Sequence, residues 1–115
     1  MQFTQQELND LINQAGAPQL SGSDLSGAML SGRHLTGANL SGANLRDAYL
    51  DGANLKNANL SGADLTGANL TNADLSGANL SAAKLINAKL TRANLKGADL
   101  TNTDFTGAEM TGVEE

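Results

Sequence analysis

Leucine recurs at every fifth residue from Leu20 to Leu100 without exception, and the series continues at the same spacing as Phe105 and Met110. In an α-helix, five residues advance by about 500°, so successive leucines would spiral around the whole helix surface. In a straight strand, an odd spacing would send successive leucines to opposite faces. The leucines can share one side only if the chain turns a corner in every repeat. The spacing therefore predicts a solenoid of short extended sides around a core of leucine and alanine.

The other positions of the repeat support this prediction. Alanine usually lies two residues before each leucine, Asn or Asp one before, Ser or Thr one after, and Gly, Asn or Asp at the next position, where a corner needs a permissive backbone. Units such as ANLSG at residues 38–42 and ADLTG at 63–67 resemble the A(D/N)LXX motif of the pentapeptide-repeat proteins. This resemblance implies a right-handed quadrilateral β-helix with four pentapeptides per coil and nearly five coils. We expect a capping helix over residues 1–17, the β-helix over 18–112 and a short acidic tail over 113–115.

The residues before the repeat have the pattern of a helix. Thr4 stands at an N-cap position with Glu7 three residues later, as in a capping box, and Phe3 and Leu8 are placed as a hydrophobic staple. The apolar residues expected on one face are Leu8, Leu11, Ile12 and Ala15. Gly16 and Pro18 are expected to end the helix. We expect this helix to lie across the first coil and cover its edge.

Arg33 and His34 interrupt the repeat. Arg33 occupies the inward position that alanine fills at residues 53, 73 and 93, where a guanidinium needs a partner. Because this position lies beneath the expected helix, we predict that its head reaches the carbonyls at the helix end, or Asp10 or Glu7. His34 takes an outward Asn/Asp position and is expected to be an ordinary surface residue.

Two sets of residues are candidate contacts with other molecules. On a twenty-residue coil, Met29 and Tyr49 stack as an outward apolar pair, with Ile86 as a further outward apolar residue, and these three are candidate partner contacts. At the C-terminal end, Phe105, Met110 and Val113 are candidates for an end-to-end homodimer, because an uncovered coil edge favours pairing. The alternative is a solvated end protected by the charges of Glu114 and Glu115.

Composition argues against an enzyme. The chain has no cysteine and one histidine, so it lacks disulfides, thiol nucleophiles and a His/Glu cluster at metal-ligand spacing, and no cofactor is expected. The N-terminal segment has neither the basic nor the apolar region of a secretory signal, and no apolar run is long enough to cross a membrane. The net charge of -5 comes mostly from acids outside the repeat. We expect a cytoplasmic protein that does not bind membranes.

These observations leave two functional hypotheses. The first is a non-enzymatic rigid scaffold or protein-interaction module whose protein partner is unknown. The alternative, implied by the family resemblance, is a DNA-mimicking binder or inhibitor of DNA gyrase, which requires long rows of carboxylates in place of phosphates. The best such row is Asp24, Asn44, Asp64, Lys84 and Asp104, which an amide and a lysine interrupt. Direct nucleic-acid binding is not expected, because the basic stretch between residues 84 and 96 wraps one coil without aromatic residues.

Overall fold

The computed structural model describes all 115 residues and contains one helix, α1 (Gln5–Ile12). From residue 19 onwards the chain forms a ladder of parallel bridges, each joining residues twenty positions apart, from Gln19–Asn39 to Asn94–Glu114. We call residues 19–38 the first coil and residues 95–114 the last coil. Each bridge involves a single residue on either side, so the sides of the coil are shorter than the strands of an ordinary sheet.

One pattern of backbone hydrogen bonds joins each coil to the next. The N–H of Leu60 donates to the carbonyl of Asn79 (2.8 Å), and the N–H of Asn79 donates back to the carbonyl of Ala58 (2.9 Å). Within the corner, the N–H of Ala63 donates to the carbonyl of Leu60 (3.0 Å), which closes a β-turn. The sequence repeats every five residues because every side and corner repeats these bonds.

The corners need a left-handed backbone at the second residue after each leucine. Glycine fills most of these positions, as at Gly62 with φ of 66°. Seven other residues adopt positive φ angles: Asp47, Asn57, Asn72, Ala82, Asn87, Arg92 and Asn102. Five of these are Asn or Asp, the non-glycine residues that tolerate this conformation best.

The core lies along the axis of the coils. Leucine at every fifth position from Leu20 to Leu95 and the inward alanines form one buried cluster, which Leu8 and Ile12 of α1 extend at the N-terminal end. The molecule measures 33 × 22 × 21 Å. Two parts of the molecule account for its longest dimension. Residues 19–114 rise by about 4.8 Å for each coil of twenty residues, and the helix lying across the end adds a diameter of about 10 Å.

The helix begins as the sequence predicts but ends earlier. The hydroxyl of Thr4 accepts a hydrogen bond from the N–H of Glu7 (3.0 Å), and the carboxylate of Glu7 accepts one from the N–H of Thr4 (2.9 Å). The expected end at Gly16 is wrong, because the C-cap is Asn13 and Ala15 is exposed. Residues 13–17 instead carry the chain from the helix to the first bridge. The structure contains no helix with the length and apolar character that a membrane crossing requires.

Candidate interaction surfaces

The backbone edge of the first coil is covered by glutamine side chains as well as by α1. The amide of Gln5 donates to the carbonyl of Met29 (2.9 Å) and accepts from its N–H (3.0 Å), as a peptide group of a neighbouring coil would. The N–H of Gln2 donates to the carbonyl of Asp24 (2.7 Å), and its side-chain oxygen accepts from the N–H of Asp24 (3.0 Å). Neither glutamine was predictable from the sequence, because a glutamine before or within the first turn of a helix is usually a solvated residue.

Arg33 is half-buried under α1. Its guanidinium donates to the side-chain oxygens of Asn9 (2.8 Å) and Asn13 (3.2 Å). The predicted acceptors, the carbonyls at the helix end or Asp10 or Glu7, are therefore wrong. Glu7 is occupied by Thr4, and Asp10 accepts from Gln6 on the outer face of the helix.

The other predicted cap contacts differ in their burial. Leu8 is fully buried and Ile12 is buried, whereas Leu11 is only partly buried and packs against the core. Near the helix, a cleft of about 220 Å³ lies between the end of α1 and the first coil, lined by Leu11, Pro18 and Leu20 among others. None of the residues that line it is titratable. No group of three or more His, Asp or Glu side chains comes together as a metal site.

Met29 and Tyr49 are neighbours on the surface of the rod. A parallel bridge joins them on successive coils, and their exposed fractions are 63% and 50%. We call this pair the Met-Tyr patch. Ile86 does not belong to the patch: it is partly buried at a corner, where its carbonyl accepts from the N–H of Gly67 (2.9 Å). The structure therefore brings together two of the three candidate partner contacts.

The Met-Tyr patch lies at two positions that lack a local hydrogen bond found at most other outward positions of the repeat. From Asp24 to Asp104, every Asn or Asp that directly precedes a leucine or Phe105 accepts a bond from the backbone N–H two residues later, as Asn59 does from Ser61 (3.0 Å). Met29 and Tyr49 have no oxygen at the position of the Asn or Asp Oδ1, so they do not accept this local bond. The outward positions that lack it between residues 24 and 104 are Met29, His34, Tyr49, Lys84 and Lys89. His34 is exposed and bridges to Asn54.

The acidic row on the neighbouring side is partly neutralised. Burial of Asp64 opposes its ionisation, but the hydroxyl of Thr66 (2.6 Å), the N–H of Thr66 (3.0 Å) and the guanidinium of Arg46 (3.3 Å) lower its pKa overall. Lys84 follows Asp64 in the same row and bridges to both Asp64 and Asp104. The row therefore presents alternating rather than uniform charge.

The last coil presents an uncovered edge in this structure. Phe105, Met110 and Val113 are partly buried and pack against the core. The backbone N–H groups of Leu100, Phe105 and Met110 donate no hydrogen bond, whereas the equivalent groups of earlier coils all do. Glu114 forms an ion pair with Lys96 (3.3 Å).

A family model for pentapeptide repeats matches residues 19–57, 43–81 and 78–113, with eight copies. This chain belongs to the pentapeptide-repeat family. Family membership implies that the coils form a right-handed β-helix. No curated protein sequence matches the chain at a significant level.

Three solved structures of pentapeptide-repeat proteins are similar to this one. HetL, described as involved in heterocyst differentiation regulation in the cyanobacterium Nostoc sp. strain PCC 7120, is 40% identical with a TM-score of 0.78, over 82% of this chain and 45% of HetL. A protein from the Arabidopsis thaliana thylakoid lumen is 44% identical with a TM-score of 0.79, over 82% and 66%. A protein from the cyanobacterium Cyanothece 51142 is 38% identical with a TM-score of 0.66, over 89% and 67%. The chain thus spans about half to two thirds of these relatives.

Proposed function

We propose that this pentapeptide-repeat protein is a non-enzymatic, rigid protein-interaction module and that its partner contacts the Met-Tyr patch. The observation that carries the proposal is the loss of the local hydrogen bond at two adjacent outward positions, Met29 and Tyr49, in favour of exposed apolar side chains. The repeated coil fixes the position of these side chains, so a partner meets a preformed surface and binding does not require the module to order itself. Aromatic residues with a polar tip, such as Tyr49, are favoured in protein interfaces.

Site-specific photo-crosslinking tests this proposal. A benzophenone amino acid replaces Tyr49 in one variant and Asn59 in the control variant. Asn59 occupies the equivalent outward position of another repeat unit, on a different side of the rod. We expect a discrete protein adduct in the source cells from position 49 and not from position 59. Tyr49→Ser in the module should weaken capture of the same partner. Equal adducts from both positions, or none from position 49, would contradict the proposal.

The alternative, a DNA-mimicking binder of DNA gyrase, receives less support. Duplex DNA carries about one negative charge per 1.7 Å of its axis, whereas the row through Asp64 alternates with Asn44 and Lys84, and Arg46 pairs with the central carboxylate. A supercoiling assay separates the two hypotheses. The interaction module should leave gyrase activity unchanged at concentrations where it binds its partner, and inhibition that Asp64→Asn relieves would favour the alternative.

The end-to-end homodimer through Phe105, Met110 and Val113 stays a prediction. Its support is the row of backbone donors and partly buried apolar side chains at the last coil. Sedimentation equilibrium of the 115-residue chain tests it, since a closed dimer should dissociate when Met110→Glu places a carboxylate at that edge. A monomer at all concentrations would favour the charge-protected end instead.

A further inference from the structure

The two edges of the coiled region are complementary to each other. Inside the rod, every coil boundary joins the N–H of a leucine and the carbonyl of an inward alanine on one coil to the bridged residue of the next coil. The last coil presents the same groups outward, through the N–H groups of Phe105 and Met110 and the carbonyl of Ala108. The first coil presents the complementary groups of Asp24 and Met29. The last coil of one copy therefore fits the first coil of another in the internal register, with Phe105 over Leu25 and Met110 over Leu30.

The helix α1 occupies this edge in the structure. Gln2 and Gln5 take both backbone groups of Asp24 and Met29, which are the groups that a stacked coil would use. Leu8 and Ile12 cover the apolar end of the core. A second copy can therefore reach the first coil only where α1 has been displaced.

Arg33 adds a second barrier at the same edge. It stands in the inward column that alanine fills at residues 53, 73 and 93, and Asn9 and Asn13 of α1 accept its hydrogen bonds. A coil stacked on this edge would remove those acceptors and enclose the guanidinium against Val113. Burying a charge without partners is strongly unfavourable. Inward charges on edge coils and strands are a known way of preventing edge-to-edge association.

We propose that α1 and Arg33 together block head-to-tail assembly of copies of this chain at the N-terminal edge. The surface is the edge of the first coil around Asp24, Met29 and Arg33, and the occupant that it excludes is the last coil of a second copy. Such a contact joins unlike surfaces and does not close, so removing both barriers produces open-ended filaments. This inference does not depend on the Met-Tyr patch or on the identity of a partner.

The test uses variants of the full chain. Leu8→Glu displaces α1, Arg33→Ala restores the alanine column, and a double variant does both; Gln6→Glu places the same charge on the exposed face of α1 as a control. Sedimentation velocity over a range of concentrations measures the mass, and far-UV circular dichroism checks that the coils stay folded. We expect the wild type, the control and both single variants to keep one mass. The double variant should rise severalfold in mass with concentration, and adding Met110→Glu should abolish the rise.

Several results would overturn the proposal. A folded double variant that keeps the wild-type mass, or that stops at a dimer because two last coils pair end to end, would show that the last coil does not stack on the first coil. Equal association of Leu8→Glu alone would remove the role of Arg33. A milder variant with Leu8, Ile12 and Arg33 all replaced by alanine removes the apolar packing of α1 and repeats the test without introducing a charge. Loss of the coils in both variants would also overturn the proposal, which requires the first coil to remain folded when α1 is displaced.

Discussion

Replacing Gly67 by alanine tests whether the corners of neighbouring coils are fitted to each other. Gly62 and Gly67 occupy the same repeat position with nearly the same backbone, at φ of 66° and 73°. A Cβ atom added at Gly62 meets nothing within 4 Å, whereas one added at Gly67 overlaps Oδ1 of Asp47, one coil earlier. The two substitutions therefore share the backbone penalty and differ only in the contact with Asp47.

The structure sets the size of the two effects. A left-handed alanine costs about 1 to 2 kcal/mol, and the reduced freedom of the unfolded chain offsets about 0.4 to 1 kcal/mol of this. We therefore expect Gly62→Ala to lower the free energy of unfolding by about 1 kcal/mol. Gly67→Ala must also push the carboxylate of Asp47 away from its preferred rotamer, which adds about 0.5 to 1.5 kcal/mol.

Urea unfolding followed by far-UV circular dichroism measures both values. The decisive comparison repeats Gly67→Ala in an Asp47→Gly background, which removes the obstructing side chain. In that background, the loss of unfolding free energy caused by Gly67→Ala should fall to the loss caused by Gly62→Ala. Equal costs for the two alanine variants in the wild-type background, or an unchanged cost after Asp47→Gly, would refute the reasoning that neighbouring corners are fitted.

Three further predictions concern stability and are measured by urea unfolding. Burial of Asp74 opposes its ionisation, but the hydroxyl and N–H of Ser76 lower its pKa overall. Its contribution to the free energy of unfolding is therefore complete above about pH 4 and is lost as the pH falls through the lowered native pKa. Asp74→Asn should lose less stability than the wild type between pH 6 and pH 2.5. Leu60→Ala should cost about 2 to 5 kcal/mol because Leu60 is fully buried, and Leu100→Ala less because Leu100 is partly exposed; equal costs would contradict this. Ala82→Gly should stabilise the chain by about 0.5 to 1 kcal/mol because Ala82 has a φ of 58°.

The sequence predicts the coiled region well because its constraints are local and repeated. A leucine every fifth residue requires a corner in each repeat. The four-sided coil implied by the family resemblance pairs residues twenty apart and so places Tyr49 beside Met29. The end of the helix was not predictable in the same way, since it depends on where Leu8 and Ile12 meet the first coil. An apolar face continued to Ala15 in the sequence, but the chain had to leave the helix earlier to reach the bridge at Gln19.

The partners of Arg33 show a second limit. The sequence suggested the carbonyls at the helix end or the charged side chains of Asp10 and Glu7 as acceptors. The actual acceptors, Asn9 and Asn13, lie next to the buried Leu8 and Ile12 on the helix, with the same four-residue spacing. An acceptor for an inward guanidinium has to lie beside the face that meets the coil, whatever its charge. The glutamines that replace a neighbouring coil were not predictable at all, because their role depends on the position of an edge that only the folded structure defines.

A residue other than Asn or Asp at an outward position indicates a function only if losing the local hydrogen bond of Asn or Asp lowers the stability of the fold. Lys89 and Asn69 allow a reciprocal test, since a bridge joins them in one row and Asn69 accepts from the N–H (3.1 Å) and hydroxyl (2.7 Å) of Thr71. Lys89→Asn should restore such a bond with Thr91 and raise the free energy of unfolding by about 0.5 to 1.5 kcal/mol. Asn69→Lys should lower it by a similar amount. If neither variant changes stability, then the absence of this hydrogen bond at Met29 and Tyr49 also costs the fold no stability. The exposure of the two side chains would then no longer distinguish them from any other surface position.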